Sequence, residues 1–507
     1  MEKNKLFINA MIDNLMILLV LSIVALAIFF PSIKNSFVYD DEILIKNNPY
    51  ITDVSFIPKI FTTQLYSNKQ EQSSYYRPLQ VISYMANFYW TGLSTWSYHV
   101  INIILHIVNS FLVFLLLRYF LSFRKSFLIA LFFCIHPINS SAVIYLSSRS
   151  DLLVSFFMLS CIICFLKFSD KKHIVFYLLS ILLFSISLFA KEISLLTPLL
   201  LLLVAFFYPG SKKRVIFPFF VIAILFLIFR MQVVPFTGYF HEPNPILFSM
   251  LNIFNVLYQY IKLLFYPVPL YLTHITPFIL KGHPLYILSG LMFFLGIACL
   301  GFVDKLTKRK DFTFFILWAA ITFLPVCFSL FHFVVYGACM AEHWFYLPSI
   351  GCLSIVCCMA GILFKKVTKS TQSIFIWIFA IYLGSLTFMN SINFYSNELL
   401  YNQILSFVPN NVEVRTNLAS FYAKEKEFDL AESNYLQAIY QDKSYADPYI
   451  GLALVYIQTK SRTIEQINRF FEKGIQLDPA NENFRNNYAV FTKITKEDTK
   501  EYSDNPT

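Results

Sequence analysis

The sequence predicts an all-α protein in two parts: a polytopic membrane helix bundle of about 11 spans, then a C-terminal α-helical repeat domain. Three observations predict it. Charged residues make up only 14% of the chain and apolar residues 57%, where a soluble domain carries about 25% charged residues. Apolar runs long enough to cross a bilayer recur from residue 15 to residue 390. Beyond that the composition changes: residues 391–507 hold 12 Lys and Arg against 16 Asp and Glu, leaving 28 against 14 for residues 1–390. The net charge of +10 is thus a basic membrane part with a mildly acidic tail. Basic residues in short membrane loops encode orientation. No nucleic-acid motif is present, so nucleic acid is not an expected partner.

The first apolar run, 15–31, follows Lys3 and Lys5 but lacks a small-residue cleavage site, so it reads as a retained helix. A first outer loop, 32–97, follows it and opens with FVYDDE. Further runs lie near 98–122, 126–147, 151–169, 173–190, 193–208, 214–234, 246–267, 284–303, 312–331, 345–364 and 371–390. The basic clusters Arg118/Arg124/Lys125, Lys167/Lys171/Lys172 and Lys212/Lys213/Arg214 fall in alternate loops. This puts the N-terminus in the cytoplasm. Lys305, Lys308, Arg309 and Lys310 obey the same rule only if one run between Arg230 and Pro284 does not cross. The run at 246–267, followed by YPVPLYLTHITP, is the one expected to lie in the interface or re-enter. The tail then emerges on the outer side. The nine cysteines, including the Cys161/Cys164 pair, sit in or beside apolar runs and read as small core residues.

In the tail, VEVRTNLASFYAKEKEFDLAESNYLQAIYQDK places Leu418, Ala419, Tyr422, Ala431, Tyr435 and Ala438 at tetratricopeptide spacing. Repeats are expected at about 412–445 and 446–480, with a partial one at 481–495. Such stacks bind peptides or proteins, so an acceptor protein or an assembly partner is expected there.

Orientation sorts the polar residues. Asp40, Asp41, Glu42, Arg77, His136, Arg149, Asp151, Lys191, Glu192, His241, Glu242, Glu342 and His343 all fall on the outer side. Ionisable groups at membrane depth usually face a cavity or one another. An outer-face transferase draws its activated group from a lipid phosphate at the bilayer edge. A carboxylate at the first outer loop suits a general base for an attacking hydroxyl. Arg77, Arg149, Lys191 and His343 are candidate cations for the leaving phosphate. Each has a plainer reading too; His136 before Pro137, for one, fits a capped helix break.

FVYDD, YRPL (76–79), HVINIILHIVNSFLVF (99–114), HPINSSAVIYLSSRSDLL (136–153), AKE (190–192) and AEHWFYLPSIG (341–351), followed by repeats, resemble the transmembrane and tetratricopeptide-repeat O-mannosyltransferases of the C-type glycosyltransferase (GT-C) superfamily. The resemblance covers nearly the whole chain. It implies a polyprenyl- or dolichyl-phosphate sugar donor, an inverting transfer, and an acidic pair falling on Asp40 and Asp41, with Asp40 the preferred base. It matches Arg149 and Asp151 to the family's R-x-D/E, and Lys191 and Glu192 to its S/A-K-E. Two positions depart from it: Ser141 stands where the family often has Glu, and His343 where it often has Arg. No His and carboxylate set has metal spacing, so no metal is expected to be required. The expected function is transfer of a sugar, mannose by resemblance, to Ser/Thr of exported proteins. Modification of a lipid or surface glycan, and a non-enzymatic scaffold, are the alternatives. Low glycine with abundant Phe, Ile, Asn and Lys points to an AT-rich, bacterial genome, so a bacterial inner membrane is the expected location.

Overall fold

The computed structural model describes residues 2–65, 75–234, 246–270, 272–275, 296, 301–305, 310–332, 338–479 and 481–503. His241, Glu242, Lys308, Arg309 and most of the run at 284–303 lie outside them. The chain forms two compact units, Met1–Tyr395 and Ser396–Thr507.

The first unit is a bundle of apolar helices, and the chain is a multi-pass membrane protein. Its helices are α1 (Glu2–Phe29), α2 (Ile57–Thr62), α3 (Pro78–Thr91), α4 (Thr95–Leu117), α5 (Phe123–Ile135), α6 (Ser140–Ile144), α7 (Arg149–Lys171), α8 (Ile174–Ser187), α9 (Thr197–Phe207), α10 (Phe217–Val233), α11 (Ile246–Phe265), α12 (Asp311–His332), α13 (Tyr346–Leu363) and α14 (Lys369–Asn393). Among the described residues, seven helical segments are long and apolar enough to span a bilayer, and the bent pair α5–α6 makes an eighth if it is one span. α8 and α9 are apolar but shorter, and α11 is not among the seven. Eleven spans would require the bent pair, α8, α9 and the run at 284–303 to cross as well.

Proline sets several helix starts. Pro78, Pro198 and Pro218 occupy the first turns of α3, α9 and α10, where a missing N–H costs nothing. Pro137 breaks the α5–α6 pair by 57°, because the residue before proline is driven out of the helical region. α4 lies at the centre, packed against α1, α5 and α7. Several polar side chains inside the bundle find partners on neighbouring helices, which offsets the cost of burying them. Asn102 donates to the Val143 carbonyl (3.1 Å) and Asn109 to that of Leu152 (2.9 Å). His106 lies between the Tyr346 hydroxyl (2.8 Å) and the Cys134 carbonyl (2.9 Å). α13 crosses α12 at Gly351, where a Cβ would fall 2.7 Å from the Phe315 oxygen.

Among the described residues, one short ribbon stands apart from the helices. β1 (Thr273–Ile275) pairs antiparallel with β2 (Ala338–Ala341), Thr273 opposite Ala341 and His274 opposite Met340. This ribbon delivers the chain directly into Glu342.

The second unit consists of α15 (Asn397–Phe407), α16 (Val412–Lys424), α17 (Phe428–Gln441), α18 (Asp447–Thr459), α19 (Ile464–Leu477) and α20 (Glu482–Ser503). Neighbouring helices pack in sequence order. Ala419, Ala431, Ala438 and Ala453 are fully buried, which lets the helices approach closely. The turn between α16 and α17 contains Lys426 in the left-handed region (φ 63°). A capping box of Thr463 and Gln466 starts α19. α15 precedes the first expected repeat and is absent from the sequence reading; the Tyr422 hydroxyl ties it to α16 through Glu398 (3.1 Å).

Candidate functional site

The acidic turn follows α1 and is clamped from within. Tyr39 adopts a left-handed conformation, φ 54°, which costs a non-glycine residue roughly 1–2 kcal/mol. The Asp40 carbonyl then accepts the amides of Ile43 (3.0 Å) and Leu44 (2.9 Å), turning the chain into the next helical segment.

The two aspartates have different surroundings. Asp41 is wholly buried. Its Oδ1 accepts from the Ser147 amide (2.7 Å) and hydroxyl (2.5 Å), and its Oδ2 from the Val38 amide (3.2 Å). Burial outweighs these three donors and pushes the Asp41 carboxyl up to about 7. Asp40 is half-buried, and its charge is felt at Tyr75. The pair expected as catalytic therefore divides: Asp41 pins the loop to the turn at Ser147, and Asp40 acts electrostatically on Tyr75, which also senses Arg77 and Glu192.

That cluster forms where several helices begin. Arg77 stands immediately before α3 and donates from Nε to Glu192 (3.3 Å) and from Nη1 to Ser150 (3.4 Å). The Tyr76 amide holds the other Glu192 oxygen (3.3 Å). Lys191 sits 2.7 Å from both oxygens of Asp151, in the first turn of α7. These side chains are 12% and 9% exposed, so the pair is largely desolvated. The Arg77 guanidinium also lies over the Tyr75 ring, 4.6 Å from its centroid. Arg77 and Lys191 both act electrostatically on His343.

Tyr145 joins this cluster to the acidic turn. Its ring is 6.4 Å from that of Tyr39 and 6.2 Å from that of His343. Glu342 is buried beside His343, and Tyr260 senses both Glu342 and Asp151. His343 Nδ1 is buried with no hydrogen-bond partner among the described residues. The same holds for Ser141 Oγ, so the position where the family often has Glu is closed off here.

Two expected site residues serve elsewhere. Arg149 is fully buried and engaged by protein oxygens: Nε donates to Asn102 (2.8 Å), Nη1 to Asn87 (2.6 Å) and the Ser83 carbonyl (3.2 Å), and Nη2 to the Tyr98 carbonyl (2.9 Å). Tyr84 lies 4.7 Å beneath it. It ties α3, α4 and α7 together and leaves no fork for a phosphate. His136 accepts the Ile138 amide at Nδ1 (3.2 Å) and reaches the Leu264 carbonyl with Nε2 (3.0 Å). It caps the helix break at Pro137.

The sequence reading missed Arg230, in the last turn of α10, buried and within electrostatic reach of Glu192 and Arg77. A lone arginine ending an apolar run was the available signal. It also missed Tyr145 and Ser147, whose roles depend on tertiary contact alone. Among the described residues, no group of three His, Cys, Asp or Glu converges as a metal site.

No protein-family model matches the chain. A Caenorhabditis elegans protein named as a protein O-mannosyl-transferase is 29% identical over 455 residues, covering 86% of this chain and 63% of its own. Human protein O-mannosyl-transferase TMTC3 is 24% identical over 483 residues, 85% of this chain and 52% of its own. Human protein O-mannosyl-transferase TMTC2 is 30% identical over 165 residues, 30% and 19%. The chain spans about half to three fifths of the length of the relatives that it matches along most of its sequence. Along most of its own length the chain is similar to proteins named as protein O-mannosyl-transferases.

Proposed function

We propose that the chain is an inverting membrane glycosyltransferase, of the GT-C type, which moves a sugar from a polyprenyl phosphate to Ser/Thr hydroxyls of exported proteins. The observation that carries this reading is the meeting of the acidic turn with the paired charges through Tyr75, Tyr145 and His343. The names of these relatives supply mannose as the sugar.

In the proposed step the acceptor oxygen attacks the anomeric carbon while the bond from that carbon to the phosphate oxygen breaks. The bonding electrons leave on the phosphate, and the hydroxyl proton passes to Asp40. Attack opposite the leaving group inverts the anomeric centre. Arg77 and Lys191 steady the charge that grows on the phosphate, and Asp151 and Glu192 hold both cations in place. The electrostatics need no metal on this route. Asp41 and Arg149 shape the walls. The hairpins of the second unit are tetratricopeptide repeats that recruit the acceptor protein. The site faces outward from a bacterial inner membrane.

The test uses the purified full chain with polyprenyl-phosphate mannose and a Ser/Thr peptide. The expected result is peptide mannosylated with inversion and release of polyprenyl phosphate. Transfer to lipid or glycan acceptors but never to peptide would instead select the glycan-modifying alternative. A chain that releases no sugar to any acceptor would leave the scaffold reading standing.

A further inference from the structure

The membrane unit ends at Tyr395, and its last residues are built into the wall behind the acidic turn. Asn35 Nδ2 donates to the Ser391 carbonyl (2.9 Å), and the Ser36 amide to the Tyr395 carbonyl (3.1 Å). The stretch leading into Tyr39 is therefore bonded to the stem from which the second unit continues. Phe394 is 1% exposed, and its ring lies 6.5 Å from that of Tyr145. The Tyr145 ring also lies beside those of Tyr39 and His343. Asn390 donates to Ser140 (2.8 Å), and Thr387 to the Ile135 carbonyl (2.6 Å), fixing the end of α14 to the broken α5–α6 pair.

A left-handed tyrosine persists only where its surroundings over-determine it. Three restraints meet at Tyr39: the Asp41–Ser147 clamp beneath it, the stem bonds at Asn35 and Ser36 before it, and the aromatic series Tyr39–Tyr145–Phe394 behind it. The first two hold backbone. The third holds the side chain next to Asp40, and Phe394 closes it.

We infer that Phe394 is a positioning residue for the acidic turn, so that the stem carrying the repeats is a working part of the site and not only a tether. This rests on the reading of Asp40 as the base. Truncating Phe394 frees Tyr145 to shift. The Tyr39 ring then loses its backing, and the Asp40 carboxylate beside it shifts off line. Displacement of a catalytic group by about 1 Å can cost up to about a hundredfold in rate. One consequence concerns deletions. A cut beginning at residue 391 removes the carbonyls that Asn35 and Ser36 use, and Phe394 with them. Only a cut after Tyr395 separates the repeats from the site.

The experiment keeps the full chain and compares Phe394→Leu, Phe394→Val and Phe394→Ala with Asp40→Asn, using polyprenyl-phosphate mannose and a short peptide. The expected result is a kcat that falls in step with side-chain size, about tenfold at alanine, with the KM of both substrates held within error while the melting temperature drops with the buried volume removed. Leucine should recover most of the rate. A Gly-Ser insertion after Tyr395 should leave peptide kcat unchanged. A flat kcat across the series, or a rise in KM alone, overturns the inference. If alanine fails to fold, leucine and valine still decide it. Full activity in Asp40→Asn would instead remove the underlying reading, whatever the Phe394 series shows.

Discussion

Asp41→Asn should remove a pH slope from the stability of the membrane unit. Burial lifts the Asp41 carboxyl from 3.8 to about 7 in the folded chain. The folded state therefore binds a proton across a window in which the unfolded state has released it. That stabilisation is complete below pH 3.8 and is lost as pH rises through 7. Between pH 5 and 8 the loss is about 3 kcal/mol, at about 1.4 kcal/mol per unit of pKa. Asparagine cannot titrate. Its oxygen can still accept from Ser147, but its amide nitrogen faces the Val38 N–H, a clash of donors costing about 1–3 kcal/mol at every pH. The melting temperature of the purified chain, followed from pH 5 to 8 in one detergent, checks this. Wild type should stand well above the variant at pH 5, and the gap should narrow steadily toward pH 8. Parallel curves would refute the argument that Asp41 is held protonated by burial.

Arg149→Met should destabilise the chain by about 3 kcal/mol or more, because Asn102, Asn87 and the Tyr98 carbonyl are left buried without a donor, at about 1–3 kcal/mol each. Thermal melting reads it, and any folded fraction should keep the donor KM. Lys191→Met should lower both melting temperature and transfer, because Asp151 is left buried and unpaired. Adding Asp151→Asn should restore the melting temperature without restoring transfer; recovery of both would make the pair purely structural. His136→Asn keeps a capping acceptor before Pro137 and should leave transfer within about twofold in a peptide assay, whereas a donor ligand would lose about tenfold or more.

The division of labour among these residues was only partly readable beforehand. Apolar runs and basic loops located most helices, because a bilayer imposes length and composition on what crosses it. The Lys191 and Asp151 motifs did meet in space. What separates Asp40 from Asp41 is burial, which neighbouring positions in a string do not reveal. Arg149 and His136 carried the same outward signature as site residues, since a buried arginine hub and a capped proline break are also polar features in an apolar bundle. Arg230 was hidden by its position at the end of an apolar run. α15 escaped because it lacks the small-residue spacing that marked the helices after it. The ribbon before Glu342 pairs segments too far apart in sequence for local pattern to join.

The most direct test of the account is single-turnover sugar transfer to a peptide by Asp40→Asn beside Asp41→Asn, each with bound donor confirmed. The account predicts that Asp40→Asn loses at least about a hundredfold in the chemical step, the range of a missing general base. It predicts that Asp41→Asn, if folded, loses about tenfold or less. Equal rates in Asp40→Asn and wild type, or a greater loss in Asp41→Asn, would contradict it.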